Sequence, residues 1–164
     1  MQQQRVGDIA ILVLDDHSFM REVMRLMLRS LGIHRVMTAT SVDEAMRILD
    51  VQPIDVVISD YRLGDETGAE FMRLVRSMQD RKRFIPLIGC TGETSHAIVR
   101  EMRDAGADEV LAKPVSAQSI WAKLMAVTNA RRRFVSAPQF FGPDRRRRAD
   151  KQIKVERRAS DAEV

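Results

Sequence analysis

Asp15-Asp16, Asp60, Thr91 and Lys113-Pro114 lie far apart in the chain, yet together they supply three carboxylates, a hydroxyl and an ammonium. Gathered in one cleft, that set suits magnesium-assisted phosphoryl transfer to a carboxylate. A carboxylate attacking phosphorus, the role open to Asp60, needs its own charge and that of the incoming group neutralised. Mg²⁺ prefers carboxylate oxygens and supplies that charge, with Asp15 and Asp16 as its further ligands. Lys113 brings a compact cation to the phosphoryl oxygens, and Thr91 brings a hydroxyl that can bind one of them after transfer. Three carboxylates against Mg²⁺ leave one excess negative charge, which Lys113 offsets. Transfer turns the site anionic and draws donors such as Thr91 inward, a change able to bias a two-state surface.

Convergence requires a scaffold, and each of these residues closes an apolar run. The runs are Ile9 to Leu14, Ile54 to Ser59, Ile85 to Cys90 and Asp108 to Ala112, all short enough for strands. Arg35 to Thr40 reads as one more strand. Between them lie helical patterns: Phe19 to Leu31 with Gly32 as stop, and Ser41 to about Asp50 opened by a Ser-x-x-Glu capping box. Gly68 to Met78 carries Phe71, Met72, Leu74, Val75 and Met78 on its apolar side. Thr94 caps a fourth helix to Ala105, and Ser116 a fifth bearing Ile120, Trp121, Leu124 and Met125. Five strands alternating with five helices predict an α/β fold: a five-stranded parallel sheet, doubly wound, in three layers. Such sheets line up their strand C-termini on one edge, where ligands bind.

Taken singly, each motif has a plainer meaning. An Asp pair after a strand is commonly a helix-capping turn, and Asp is frequent in strand-to-helix turns. Cys90 has the neighbours of a buried core thiol. His17, His34 and His96 share no metal-ligand spacing and read as surface or capping residues. The Met-rich stripe of the first helix reads as core packing. Only the combination of four strand ends, each with the required residue type, exceeds these readings.

The net charge of +4 averages two unlike parts: residues 1–130 carry −2 and residues 131–164 carry +6. The expected organisation is one domain over 1–130 and a basic, mostly disordered tail over 131–164. Phe134, Val135, Phe140 and Phe141 are the tail's exceptions, able to dock on the domain or on a partner. No apolar run approaches the ~20 residues of a membrane span, the first residues do not read as a signal peptide, and a single cysteine fits a reducing cytoplasm.

From residue 8 to about 129 the chain resembles the receiver domain of bacterial two-component response regulators, in particular the single-domain chemotaxis type. Leu14-Asp-Asp-His-Ser-Phe-Met-Arg21 is similar to that family's acidic-pair segment, and Asp60 falls at its phosphoacceptor position with Gly68 eight residues on. Thr91 stands 22 residues before Lys113-Pro114, as the switch hydroxyl does before the family's lysine, and Ala105-Gly-Ala107 precedes the fifth strand. The resemblance implies a histidine kinase or phosphotransfer protein as phosphodonor. It also implies Mg²⁺ held by Asp15, Asp16, Asp60 and the Arg62 main-chain carbonyl, and a cis Lys113-Pro114 bond. Leu63-Gly64 replaces the frequent Met-Pro, Gly92 the commoner Ala, and Val110 stands at the switch position where many members carry Tyr or Phe. A valine there does not report the switch as a rotating aromatic would.

The expected function is a single-domain response regulator that is phosphorylated on Asp60 and read by a protein partner. The surface read is the fourth-helix, fifth-strand and fifth-helix face, on a monomer or a phosphorylation-dependent dimer. It catalyses only its own phosphorylation and dephosphorylation and is not a turnover enzyme. Arg62 and Glu93 flank the site with opposite charges, and pairing across the phosphoryl group would hinder the hydrolytic water. Two alternatives remain open: a phosphate sink without output partner, and nucleic-acid binding through the Arg-rich tail. The tail lacks helical period, and its aromatics precede the second Arg cluster instead of interleaving with it, which argues against nucleic acid. A haloacid-dehalogenase-type phosphatase is excluded, since its general-acid Asp two residues past the nucleophile is here Arg62.

Overall fold

A computed structural model describes residues 6–129 and 132–146 of the chain. Its centre is a five-stranded sheet, all parallel, of β1 (Ala10–Leu14), β2 (Arg35–Ala39), β3 (Val56–Asp60), β6 (Leu87–Thr91) and β7 (Glu109–Ala112). The spatial order is β2-β1-β3-β6-β7. Two small antiparallel ladders lie outside it: β4 (Arg62–Leu63) with β5 (Glu66–Thr67), and β8 (Phe134–Ala137) with β9 (Phe140–Pro143). The helices are α1 (Ser18–Ser30), α2 (Val42–Val51), α3 (Gly68–Ser77), α4 (His96–Asp104) and α5 (Ala117–Asn129).

The period of two along each strand divides the core between the two faces of the sheet. Ile11, Val13, Ile58, Ile88 and Cys90 point to one face, under Met24 and Leu28 of α1 and Ile120, Leu124 and Val127 of α5. Leu12, Leu14, Val57 and Leu87 point to the other, under Ala45 and Leu49 of α2, Phe71, Met72 and Val75 of α3, and Met102 of α4. β1, β3 and β6 are buried along their whole length, as strands covered on both faces must be. The expected doubly wound, three-layer sandwich is therefore the observed one.

Several local expectations need correction. Ser95, not Thr94, caps α4 by accepting from the Ile98 N–H. Only half of the box expected at Ser41 forms: its hydroxyl accepts from the Glu44 N–H, while the Glu44 carboxylate turns to the Thr40 N–H and hydroxyl. A complete capping box stands instead at Thr67 and Glu70, opening α3. Leu74 is exposed, because it lies outside the stripe that Phe71, Met72 and Val75 press onto the sheet.

The largest departure is in the tail. Residues 134–143, read in sequence as part of a mostly disordered segment, form the β8–β9 hairpin; 147–164 lie outside the described residues. The hairpin docks by its aromatics. Phe134 and Phe141 meet Phe84 edge-on at centroid distances of 5.2 and 5.5 Å, and the Arg83 guanidinium lies 3.6 Å from the Phe141 ring centroid. Arg76 reaches the Phe134 ring at 4.9 Å, and Arg145 pairs with Asp104 at the end of α4. A hairpin of ten residues is marginal alone; the apolar ledge of Phe84 is what the sequence pattern does not reveal. The contacts fall near the N-terminal ends of β6 and β7, the opposite edge from the acidic residues.

Candidate functional site

The predicted residues converge where β1, β3, β6 and β7 end. Asp60 and Thr91 are the last residues of β3 and β6, both buried. Asp15 follows β1, its main-chain N–H fixed to the Ala39 carbonyl. Lys113 follows β7, its main-chain N–H donating to the Thr91 carbonyl, and its bond to Pro114 is cis. The Lys113 ammonium stands 3.0 Å from Asp60 Oδ1 and 3.6 Å from Asp15 Oδ2.

Ligand atoms of Asp15, Asp16, His17 and Asp60 lie within 4.8 Å of one another. Asp16 is the outer member: its Oδ2 accepts from the Gly64 N–H at 3.1 Å, tying the acidic pair to the β4–β5 turn. Asp15 Oδ1 accepts from the His17 main-chain N–H at 2.9 Å, and His17 Nδ1 is 2.8 Å from Asp16 Oδ1. His17, expected from sequence at the surface or as a cap, is exposed and stands at the N-cap of α1; it also joins the cluster, for which its place directly after the acidic pair is the available signal. Three clustered carboxylates form an all-oxygen donor set of the hard kind that fits Mg²⁺.

Burial raises the Asp60 carboxyl above the ordinary aspartate value, Lys113 pulls against that shift, and Asp15 adds to it. Burial also works against the charge of Lys113, yet its hydrogen bond to Asp60 and the Asp60 and Asp15 charges lift it above the usual lysine value. The asymmetry is physical: one cation has two anions beside it, while each anion must share that cation. The neighbouring Cys90 thiol is pushed up to about 12, first by burial, so it is an unreactive core residue.

Over the carboxylates opens a cleft of about 370 Å³, bordered by Met20, Tyr61, Arg62, Thr91 and Glu93 among others. The Thr91 hydroxyl donates to the Glu93 carbonyl at 3.1 Å and accepts from the Glu93 N–H at 3.0 Å, so it is held in the loop after β6. Arg62 Nη2 and Glu93 Oε2 are 2.9 Å apart, both side chains largely exposed. The expected pair exists. Val110 lies on β7 opposite Gly89 of β6, partly buried against the core on the α4 side.

Gly68 holds α3 against this edge. Its N–H donates to the Tyr61 carbonyl at 2.7 Å, and an added Cβ would fall 2.2 Å from the Asp60 carbonyl oxygen, so no larger residue fits there. Tyr61, to which the sequence reading gave no role, donates its hydroxyl to Glu101 of α4 at 2.7 Å. That hydrogen bond raises its phenol above the usual tyrosine value.

A sequence profile described as the response regulator receiver domain matches residues 11–125. The chain belongs to the response regulator receiver family. It is 30% identical over 122 residues to a probable chemotaxis protein CheY of Rhizobium etli, covering 74% of this chain and 94% of that protein. It is 28% identical over 116 residues to the CAI-1 autoinducer sensor kinase/phosphatase CqsS of Vibrio cholerae, covering 71% of this chain but 17% of that longer protein. Among solved structures, the chemotaxis response regulator CheY4 of Vibrio cholerae matches with a TM-score of 0.66 and 32% identity over 73% of this chain and 98% of that one. The receiver domain of sensor histidine kinase PA1611 from Pseudomonas aeruginosa matches at 0.65 and 28% identity, over 71% and 94%. That structure is described with a magnesium ion coordinated in its active-site cleft. The protein is therefore a chemotaxis-type receiver of two-component signalling, and its acidic pocket is compatible with Mg²⁺. No helix among the described residues is long and apolar enough to cross a membrane.

Proposed function

We propose that this chain is a cytoplasmic receiver that accepts a phosphoryl group on Asp60 from a histidine kinase or phosphotransfer protein and signals by changing a protein-binding face. The observation that carries this reading is the Asp60 carboxylate at the floor of a cleft, with Lys113 at 3.0 Å and two further carboxylates beside it. Asp15, Asp16, Asp60 and the Arg62 main-chain carbonyl would hold Mg²⁺, which supplies charge neutralisation to nucleophile and phosphoryl oxygens alike. An Asp60 oxygen forms the new O–P bond while the donor's N–P bond breaks, and the electron pair leaves with the donor imidazole. Lys113 stays on the phosphoryl oxygens as they arrive. Thr91 leaves its bonds to the Glu93 main chain to donate to one of those oxygens, dragging the loop ahead of α4. The face built by α4, β7 and α5 then differs between the two states, and a partner reads it. Arg62 and Glu93 screen the phosphorus from the hydrolytic water.

The test is mass spectrometry of the Mg²⁺-loaded full chain with acetyl phosphate. The expected result is the gain of one base-labile phosphoryl group, absent in Asp60→Asn and absent when the metal is chelated. A folded wild-type chain that gains nothing from acetyl phosphate or from any histidine kinase offered would overturn the reading.

A further inference from the structure

Val110 leaves open how an event at Asp60 is felt on α4. Tyr61 offers a direct route. It follows the acceptor position immediately, and its main chain is pinned on both sides. Its N–H donates to the Cys90 carbonyl at 2.8 Å, and its carbonyl accepts from Gly68 at 2.7 Å. The Tyr61 N–H also steadies the Asp60 carboxylate. From this fixed base the ring runs along the core on the α2–α4 side, and the hydroxyl ends on a carboxylate oxygen of Glu101 at 2.7 Å. The other Glu101 oxygen is 3.7 Å from Arg73 of α3. One rigid side chain thus joins the end of the acceptor strand to the middle of α4, whereas the main-chain route runs through the exposed residues 92–95.

Phosphorylation changes the Asp60 end of this link. It converts the carboxylate beside the Tyr61 N–H into an uncharged acyl group and places about two negative charges in the cleft that Tyr61 borders. A pinned main chain transfers any displacement of that peptide to the ring, because an aromatic side chain has few soft torsions.

We propose that Tyr61 is the positioning residue that couples the state of Asp60 to α4, with its hydroxyl–Glu101 hydrogen bond as the joint. It takes the part for which Val110 supplies no aromatic ring. The inference rests on Asp60 being the phosphoacceptor.

Tyr61 is the single tyrosine of the chain, so ¹³Cζ-tyrosine labelling gives one resonance that reports its hydroxyl. The experiment follows that resonance and the amide resonances of residues 96–104 while acetyl phosphate and Mg²⁺ phosphorylate the full chain, with the phosphorylated fraction read by mass. In the wild type, the Cζ resonance and the α4 amides should move together with that fraction. Tyr61→Phe should still be phosphorylated, but with its α4 response displaced by about fivefold in equilibrium constant, the effect of losing one such hydrogen bond. Glu101→Ala, on the helix, removes the acceptor and should do the same, and the double variant should be no worse than either single one. A packing role alone would leave the Cζ resonance still during phosphorylation. Full phosphorylation of Tyr61→Phe with an unchanged α4 response overturns the proposal and leaves the acceptor reading intact. Absence of phosphorylation in the wild type overturns both.

Discussion

Asp60→Asn should stabilise the metal-free protein at neutral pH, because the Asp60 carboxylate is held in a place where its charge is unwelcome. At an effective dielectric of about 20, repulsion across at most 4.8 Å is at least ~3 kcal/mol per carboxylate pair. Asp16 is partly exposed, so its share is screened to about half by solvent. The attraction of Lys113 across 3.0 Å is ~5–6 kcal/mol on the same footing, and Lys113 is shared with Asp15. Attraction and repulsion nearly cancel, and burial of the carboxylate then decides the sign. The net gain on neutralising Asp60 is ~1–2 kcal/mol, about 1 M in urea midpoint for a domain of this size. Since the Asp60 carboxyl is raised above its ordinary value, the native state holds the proton more tightly than the unfolded chain does. The stability from that proton is present at low pH and is lost as pH rises through the folded-state value. The gap between Asp60→Asn and wild type should therefore open from acid to neutral pH. Mg²⁺ should narrow it, adding ~2.7 kcal/mol to the wild type at a hundredfold excess over its dissociation constant and less to the variant. Urea denaturation with a chelator and with Mg²⁺, at several pH values, reads all three effects. Equal stabilities in the chelator, or an equal gain from Mg²⁺ in both proteins, would refute the reasoning.

Arg62→Ala with Glu93→Ala should shorten the phosphoryl half-life by up to about fivefold, the reach of an exposed pair worth ~0–1 kcal/mol; an unchanged decay of the phosphorylated mass would sink the screening role. Thr91→Ala should leave phosphorylation of Asp60 by acetyl phosphate measurable while abolishing the chemical-shift changes in the loop before α4. Phe134→Ala should cost ~1–2 kcal/mol in urea denaturation, below the ~3–5 kcal/mol of a fully buried ring because this one is partly exposed, and it should not alter phosphorylation at the opposite edge. Gly106→Ala should destabilise more than an exposed helix substitution: Gly106 has φ +106° and its added Cβ would meet Arg76 Cγ at 2.7 Å.

The scaffold was legible because strand burial on both faces demands uninterrupted apolar runs, and helix faces demand spaced ones. What blurred was the ends. Ser95 and Thr94 are chemically equivalent caps, and only the path of the loop after Thr91 decides between them. Ser41-x-x-Glu44 has the capping-box pattern, but Glu44 finds two donors at Thr40 in place of one at Ser41. The hairpin stayed hidden for a different reason. Its strands have no amphipathic alternation of their own, and their stability comes from Phe84 and Arg83, some fifty residues away in sequence.

The site divides along the same line. Asp15, Asp16, Asp60, Thr91 and Lys113 could be read because the topology of a parallel sheet converts strand-end position into proximity, whatever lies between. His17 and Tyr61 could not be read that way, though each is adjacent in sequence to a residue that was. Their roles depend on where a side chain points after the strand has ended: His17 back onto Asp16, Tyr61 across to Glu101. Charged groups gathered at a sheet edge are the part a sequence declares, since the chemistry restricts their types. The link proposed from that edge to α4 is an ordinary hydrogen bond between common residues, whose types no chemistry restricts in advance. Val110 supplies no aromatic ring at the switch position, and the Tyr61–Glu101 hydrogen bond is the link proposed to act in its place.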